Sequence, residues 1–135
     1  MQKIIAALAV AATFTASAAM LTDQDVEDLN YELSRHTGVW LDPSTHYDAL
    51  FLEREGNGVV LIHGFTVTSD FLGQGWVQAQ HHKLLPFAEE ICNEPLMLME
   101  AEFENVRHSS VMWIYLFQDQ PAVFEYNCED IRSSF

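Results

Sequence analysis

The sequence predicts an α+β domain in the order α-β-β-α-β-β-β, with an antiparallel five-stranded sheet packed on one or two helices. Three observations carry the prediction. A capped amphipathic helix starts near Thr22, two strand-forming runs flank Gly56-Asn57-Gly58, and residues 111–117 form an unbroken apolar run. The chain has 135 residues, 49% hydrophobic and 19% charged, which suits one folded domain with a sizeable core and excludes a disordered chain.

The first helix is marked at both ends. Thr22 and Asp25 have the spacing of a capping box in its acidic variant, and Leu21 can staple onto Val26. Asp23, Asp25, Glu27 and Asp28 sit in the positive first turns, Arg35 and His36 sit in the last, and Gly38 is a natural stop. Val26, Leu29 and Leu33 give a narrow apolar stripe, so one face packs and the helix lies on the surface. Residues 39–45, with Asp42-Pro43-Ser44, read as a turn-prone connection. Residues 47–54 and 59–67 are rich in strand formers, and the tight-turn signal between them predicts a β-hairpin. Val59, Leu61, His63, Phe65 and Val67 share one face of the second strand. The other face starts with Val60 and Ile62, so that strand is central.

A loop to about Gly75 precedes a helix from Trp76, which Pro86 either kinks or divides. Leu84, Leu85, Ala88, Ile91 and Cys92 form its core-facing stripe. Strands over residues 96–106, 111–118 and 122–127 follow as a meander, broken at Arg107-His108-Ser109 and Asp119-Gln120-Pro121.

Charge and leader bound the function. Twenty acidic against 6 basic residues give a formal net charge of −14, which excludes nucleic acid and anionic lipid as partners. Residues 1–19 read as a signal peptide: Gln2-Lys3 opens it, residues 4–12 are apolar, and Ala16-Ser17-Ala18 and Ser17-Ala18-Ala19 both suit a signal peptidase. Residues 20–135 then form the single domain, in the periplasm or outside the cell. The competing reading is a retained anchor, but residues 4–21 barely reach the roughly 20 residues of a span and are diluted by Thr and Ser. The two cysteines, Cys92 and Cys128, form an even count in an exported chain and predict a disulfide. The competing reading is two separate buried thiols; a metal-bound or reactive pair lacks its C-x-x-C spacing.

Several short segments together resemble small exported bacterial proteins of uncharacterised function with a late-helix and a C-terminal cysteine. They are Pro43-Ser44-Thr45, Phe65-Thr66-Val67, Ile91-Cys92-Asn93-Glu94-Pro95, Tyr115-Leu116-Phe117-Gln118-Asp119 and Tyr126-Asn127-Cys128. The resemblance spans residues 42–128 and departs over 77–84. It implies the disulfide and the strand-helix order, and it carries no activity or site residues.

Candidate chemistry is sparse. A strand ending in His63-Gly64-Phe65 is similar to the oxyanion-loop segment of α/β-hydrolases, but no G-x-S-x-G elbow accompanies it; His63 is expected to be a hydrogen-bonded strand residue. His81 and His82 are adjacent and diverge on a helix, so they do not share a metal, and no cofactor or metal site is expected. The adjacent Glu100, Glu102 and Glu104 alternate along the expected strand 96–106, roughly 7 Å apart on one face. That face is expected to be solvated surface, with a cation or a basic partner as the functional alternative. Trp40, Trp76 and Trp113 are expected mainly in the core. The resulting expectation is an exported, acidic, disulfide-containing interaction or binding module without enzymatic activity, meeting an envelope or extracellular protein. The alternative is a small hydrolase or metal-assisted enzyme whose site is assembled from distant segments. An exposed apolar patch would favour the first, and buried polar groups clustered in a pocket the second.

Overall fold

The computed structural model describes residues 20–68, 75–118 and 120–133. In chain order the elements are α1 (Asp23–Ser34), β1 (Val39–Asp42), β2 (Thr45–Glu55), β3 (Gly58–Val67), α2 (Trp76–Asn93), α3 (Pro95–Glu102), β4 (His108–Phe117), β5 (Gln120–Asn127) and α4 (Cys128–Ser133). The strands form a five-stranded sheet in the order β1-β2-β3-β4-β5. The fold is α+β as the sequence predicts, with two corrections to its layout.

The sheet is mixed, because β3 and β4 run parallel while the other three pairs are antiparallel. A parallel pair needs a long crossover, and α2 and α3 supply it. The second correction concerns which segments are strands. Residues 96–106 are helical to Glu102, and the fifth strand is instead β1, inside the expected connection 39–45. Leu, Met, Glu and Ala in α3 are helix formers, none is β-branched, and Pro95 pre-sets the first turn. Leu96, Met99 and Phe103 are buried at helical spacing, which overrides the two-residue alternation of the glutamates. The observed order is α-β-β-β-α-α-β-β-α.

Elsewhere the local signals are realised. Thr22 and Asp25 form the reciprocal capping box. Glu55 pairs with Gly58, so Gly56 and Asn57 form a two-residue turn, and Gly56 takes the positive φ of 61° that such a turn requires. The helix α2 runs through Pro86 and buries Leu84, Ala88, Ile91 and Cys92.

One face of the sheet carries the core. Leu50 and Leu52 of β2, Leu61, His63 and Phe65 of β3, Val111, Trp113 and Tyr115 of β4, and Phe124 and Tyr126 of β5 are buried together. Leu29 and Leu33 of α1, the α2 stripe, and Leu96 and Met99 of α3 join that same core. Polar side chains fasten the layers. Asn30 of α1 bonds both the N–H and the C=O of Leu52, at 2.6 and 2.9 Å, on the β2 edge that the short β1 leaves uncovered. Asn105 holds both backbone groups of Leu21 in the same way, at 2.7 and 2.8 Å. Cys92 and Cys128 form the expected disulfide, joining the end of α2 to the start of α4.

Candidate functional site

Strand pleating puts alternate residues on opposite faces, so the register assigns the second face of the sheet. Ala49, Phe51 and Glu53 of β2 lie beside Gly64, Ile62 and Val60 of β3. These lie beside Ile114, Met112 and Ser110 of β4, and Val123 and Glu125 of β5 follow. Val60 and Ile62 are buried, yet they lie outside the core that the helices share. No described helix packs there. Phe51 is 37%, Leu116 39% and Val123 54% exposed, with Ala49, Met112 and Ile114 half-buried between them. The result is a largely apolar face on a mixed sheet whose other side carries the core.

A polar corner closes one end of this face. Asp48, at the irregularity between Tyr47 and Ala49, accepts from Thr66 Oγ1 at 2.5 Å and contacts His46 Nδ1 at 2.5 Å. Trp40, 58% exposed on β1, meets the His46 ring edge-on at 4.9 Å. The charged side chains of the face are all acidic: Asp48, Glu53, Glu55 and Glu125, each exposed. Glu53, Glu55 and Glu125 have no ion-pair partner among the described residues. The described cations lie elsewhere: Arg54 projects to the other face and pairs with Asp23 at 2.8 Å, while Arg35, Lys83, Arg107 and Arg132 sit outside the strands.

The buried polar groups are arranged differently. His63 Nδ1 and the Tyr47 hydroxyl are hydrogen-bonded at 2.8 Å, and the imidazole stacks on Trp113 with ring centroids 4.8 Å apart. His63 is fully buried and its Nε2 has no partner. Burial holds its pKa near 3, far below the ordinary value, so the ring is neutral. Burial also raises Tyr47, and pushes Tyr115 up to about 12 despite the bond it accepts from Gln80. Tyr126 bonds His81 Nδ1 at 2.8 Å. Stacked against Phe65 and Trp113, the Tyr47–His63 pair is buried, and its position fits a core histidine hydrogen-bonded within its sheet.

Glu100, Glu102 and Glu104 do not share a strand face. Glu100 and Glu102 are on α3, and Glu104 lies beyond its end. Glu100 accepts from Ser109 at 2.7 Å and pairs with Arg132 at 2.8 Å. Glu102 is half-buried with one oxygen lacking a partner, and only Glu104 is exposed. Arg132 also donates to the Cys92 carbonyl at 2.5 Å, so Glu100 belongs to a brace that holds α4 beside the disulfide. A cleft of about 430 Å³ opens there, lined by Glu100, Glu129, Arg107, His108 and Arg132 among others. Its carboxylates and guanidinium groups balance, which leaves no net charge to select an ion. Among the described residues no group of three or more His, Cys, Asp or Glu could hold a metal, and no helix is long and apolar enough to cross a membrane.

Sequence reading noticed Val60 and Ile62 and took their strand as central. It also missed the acidic rim, whose signal was present as Glu53 and Glu55 in the hairpin and Glu125 in the last strand. No family model, no curated protein and no solved structure matches the chain.

Proposed function

We propose that this protein is an exported interaction module that docks a partner protein on the open face of its sheet. One observation carries the reading: the described helices all pack on one side of the sheet, while the side that none of them covers is apolar at its centre. A sheet normally buries both apolar faces, and a contiguous apolar surface with a polar rim has the composition of a binding site. Covering the exposed parts of Phe51, Leu116 and Val123 contributes about 0.5–1.5 kcal/mol each, enough for a handful of such residues to drive association. The disulfide is in keeping with an oxidising compartment, and the segment 1–19 with export.

The test is capture from envelope extracts with three forms of the protein. A genuine partner is retained by the native form and by Phe87→Asp, which alters an exposed residue of the helical layer. It is lost with Leu116→Asp on the open face, with far-ultraviolet circular dichroism unchanged. Retention by Leu116→Asp and loss with Phe87→Asp would move the docking surface to the helices.

A further inference from the structure

Resting on the docking reading, we infer that the occupant of the open face is an amphipathic helix whose apolar stripe is flanked by Lys or Arg, with one large apolar side chain seated over Gly64 and Ala49. Two features of the face carry this, its charge and its relief.

The face carries four exposed carboxylates, one of them against His46, and the described Lys and Arg residues lie off it. Ionised carboxylates at the edge of an apolar surface favour a cationic rim on the partner and repel an anionic one, which sets both association rate and specificity. A second copy of this chain is a poor occupant on the same ground. It would bring the same acidic rim onto itself, in a molecule already at −14.

The relief comes from two small residues side by side. Gly64 pairs with Ala49 across β2 and β3, and with Ile114 across β3 and β4. A Cβ built on Gly64 would find Ala49 Cβ at 3.5 Å as its nearest neighbour, an ordinary contact, so the backbone there tolerates a side chain that the sequence omits. Gly in a strand interior costs conformational entropy and packs nothing, and it commonly marks the close approach of another element. Flanked by Ile62, Thr66 and Ile114, the two small residues leave room beside the polar corner for an anchor side chain. The opposite face of the same sheet is already covered by helices, and a helix of about 13 residues matches the roughly 19 Å width of five strands.

Two synthetic amphipathic helical peptides serve as probes, identical in their leucine stripe, one flanked by Lys and the other by Glu. Calorimetric titration of the purified protein at low salt is expected to show the Lys peptide binding at least about tenfold tighter than the Glu peptide. Glu53→Lys/Glu125→Lys should reverse that order, whereas Glu89→Lys/Glu90→Lys on α2 should leave it unchanged. Gly64→Leu should weaken the Lys peptide by about tenfold, and Gly64→Ala by less, with circular dichroism unaltered. Equal binding of both peptides, abolished by Leu116→Asp, would overturn the cationic helix and keep the docking face. Binding weakened equally by reversal on α2 would overturn the inference as diffuse charge attraction. A stable dimer that Leu116→Asp dissociates would replace the helix by a second copy. If neither peptide binds and the protein is monomeric, the inference falls, and capture by the native form decides separately whether the docking face stands.

Discussion

Acid should destabilise this protein through His63 before its carboxylates titrate. The imidazole is fully buried, its Nε2 has no partner, and burial lowers its pKa from 6.5 to about 3. In the unfolded chain the same ring protonates near its ordinary value. The unfolded state therefore binds more protons below about pH 6.5, and stability is lost as pH falls from there toward 3. Integrated from pH 7 to pH 5, this one group removes about 2 kcal/mol, a large share of a small domain's stability. The control is Tyr47→Phe/His63→Phe, which replaces both hydrogen-bonded partners by apolar rings and leaves neither polar group orphaned. At pH 7 it should lie within about 1 kcal/mol of the native protein. Urea unfolding at pH 7, 6 and 5 measures both proteins, and their carboxylates cancel in the comparison. The native protein should lose about 2 kcal/mol more than the double variant over that interval. Parallel losses would refute the assignment of a buried, neutral His63.

Reducing the Cys92–Cys128 bridge, which closes a loop of sequence separation 36, should lower stability by roughly 3–4 kcal/mol, read as a fall in melting temperature on adding reductant. Asn30→Ala should cost about 1–3 kcal/mol in urea unfolding, because it strips both backbone groups of Leu52 of their side-chain partner. Arg132→Met should cost a similar amount, about 1–3 kcal/mol, and expose the α4 amides to hydrogen exchange, since Glu100 and the Cys92 carbonyl lose their shared donor. Intact-mass measurement of the exported protein should show loss of the first 18 or 19 residues, and retention of Met1 in a membrane fraction would contradict export by cleavage.

What was legible in the sequence was local. The capping box at Thr22, the Gly56-Asn57 turn and the α2 stripe depend on neighbours within a few positions, and each formed where its signal lay. The disulfide was legible from cysteine count and compartment. The errors arose where two periods competed or where pairing is non-local. In residues 96–106 the glutamates alternate with period two while Leu96, Met99 and Phe103 recur at helical spacing, and burial favoured the helix. The strand β1 holds Val39, Trp40 and Leu41, an apolar run too short to mark a strand beside the Asp42-Pro43-Ser44 turn, and it forms by pairing with His46 and Tyr47. The parallel β3–β4 pair is a relation between segments 40 or more residues apart, which periodicity cannot report. The open face was hidden for the same reason. Apolar residues on both sides of β3 indicate a central strand, and only the placement of the described helices shows that none of them covers one side.

Hydroxyl-radical footprinting of the protein, free and with its captured partner, reads side-chain exposure face by face. Phe51, Met112, Leu116 and Trp40 should become protected on binding, while Phe87, Met97 and Tyr31 on the helical side react as before. Protection confined to Phe87, Met97 and Tyr31, with Phe51 and Leu116 unchanged, would contradict docking on the open face.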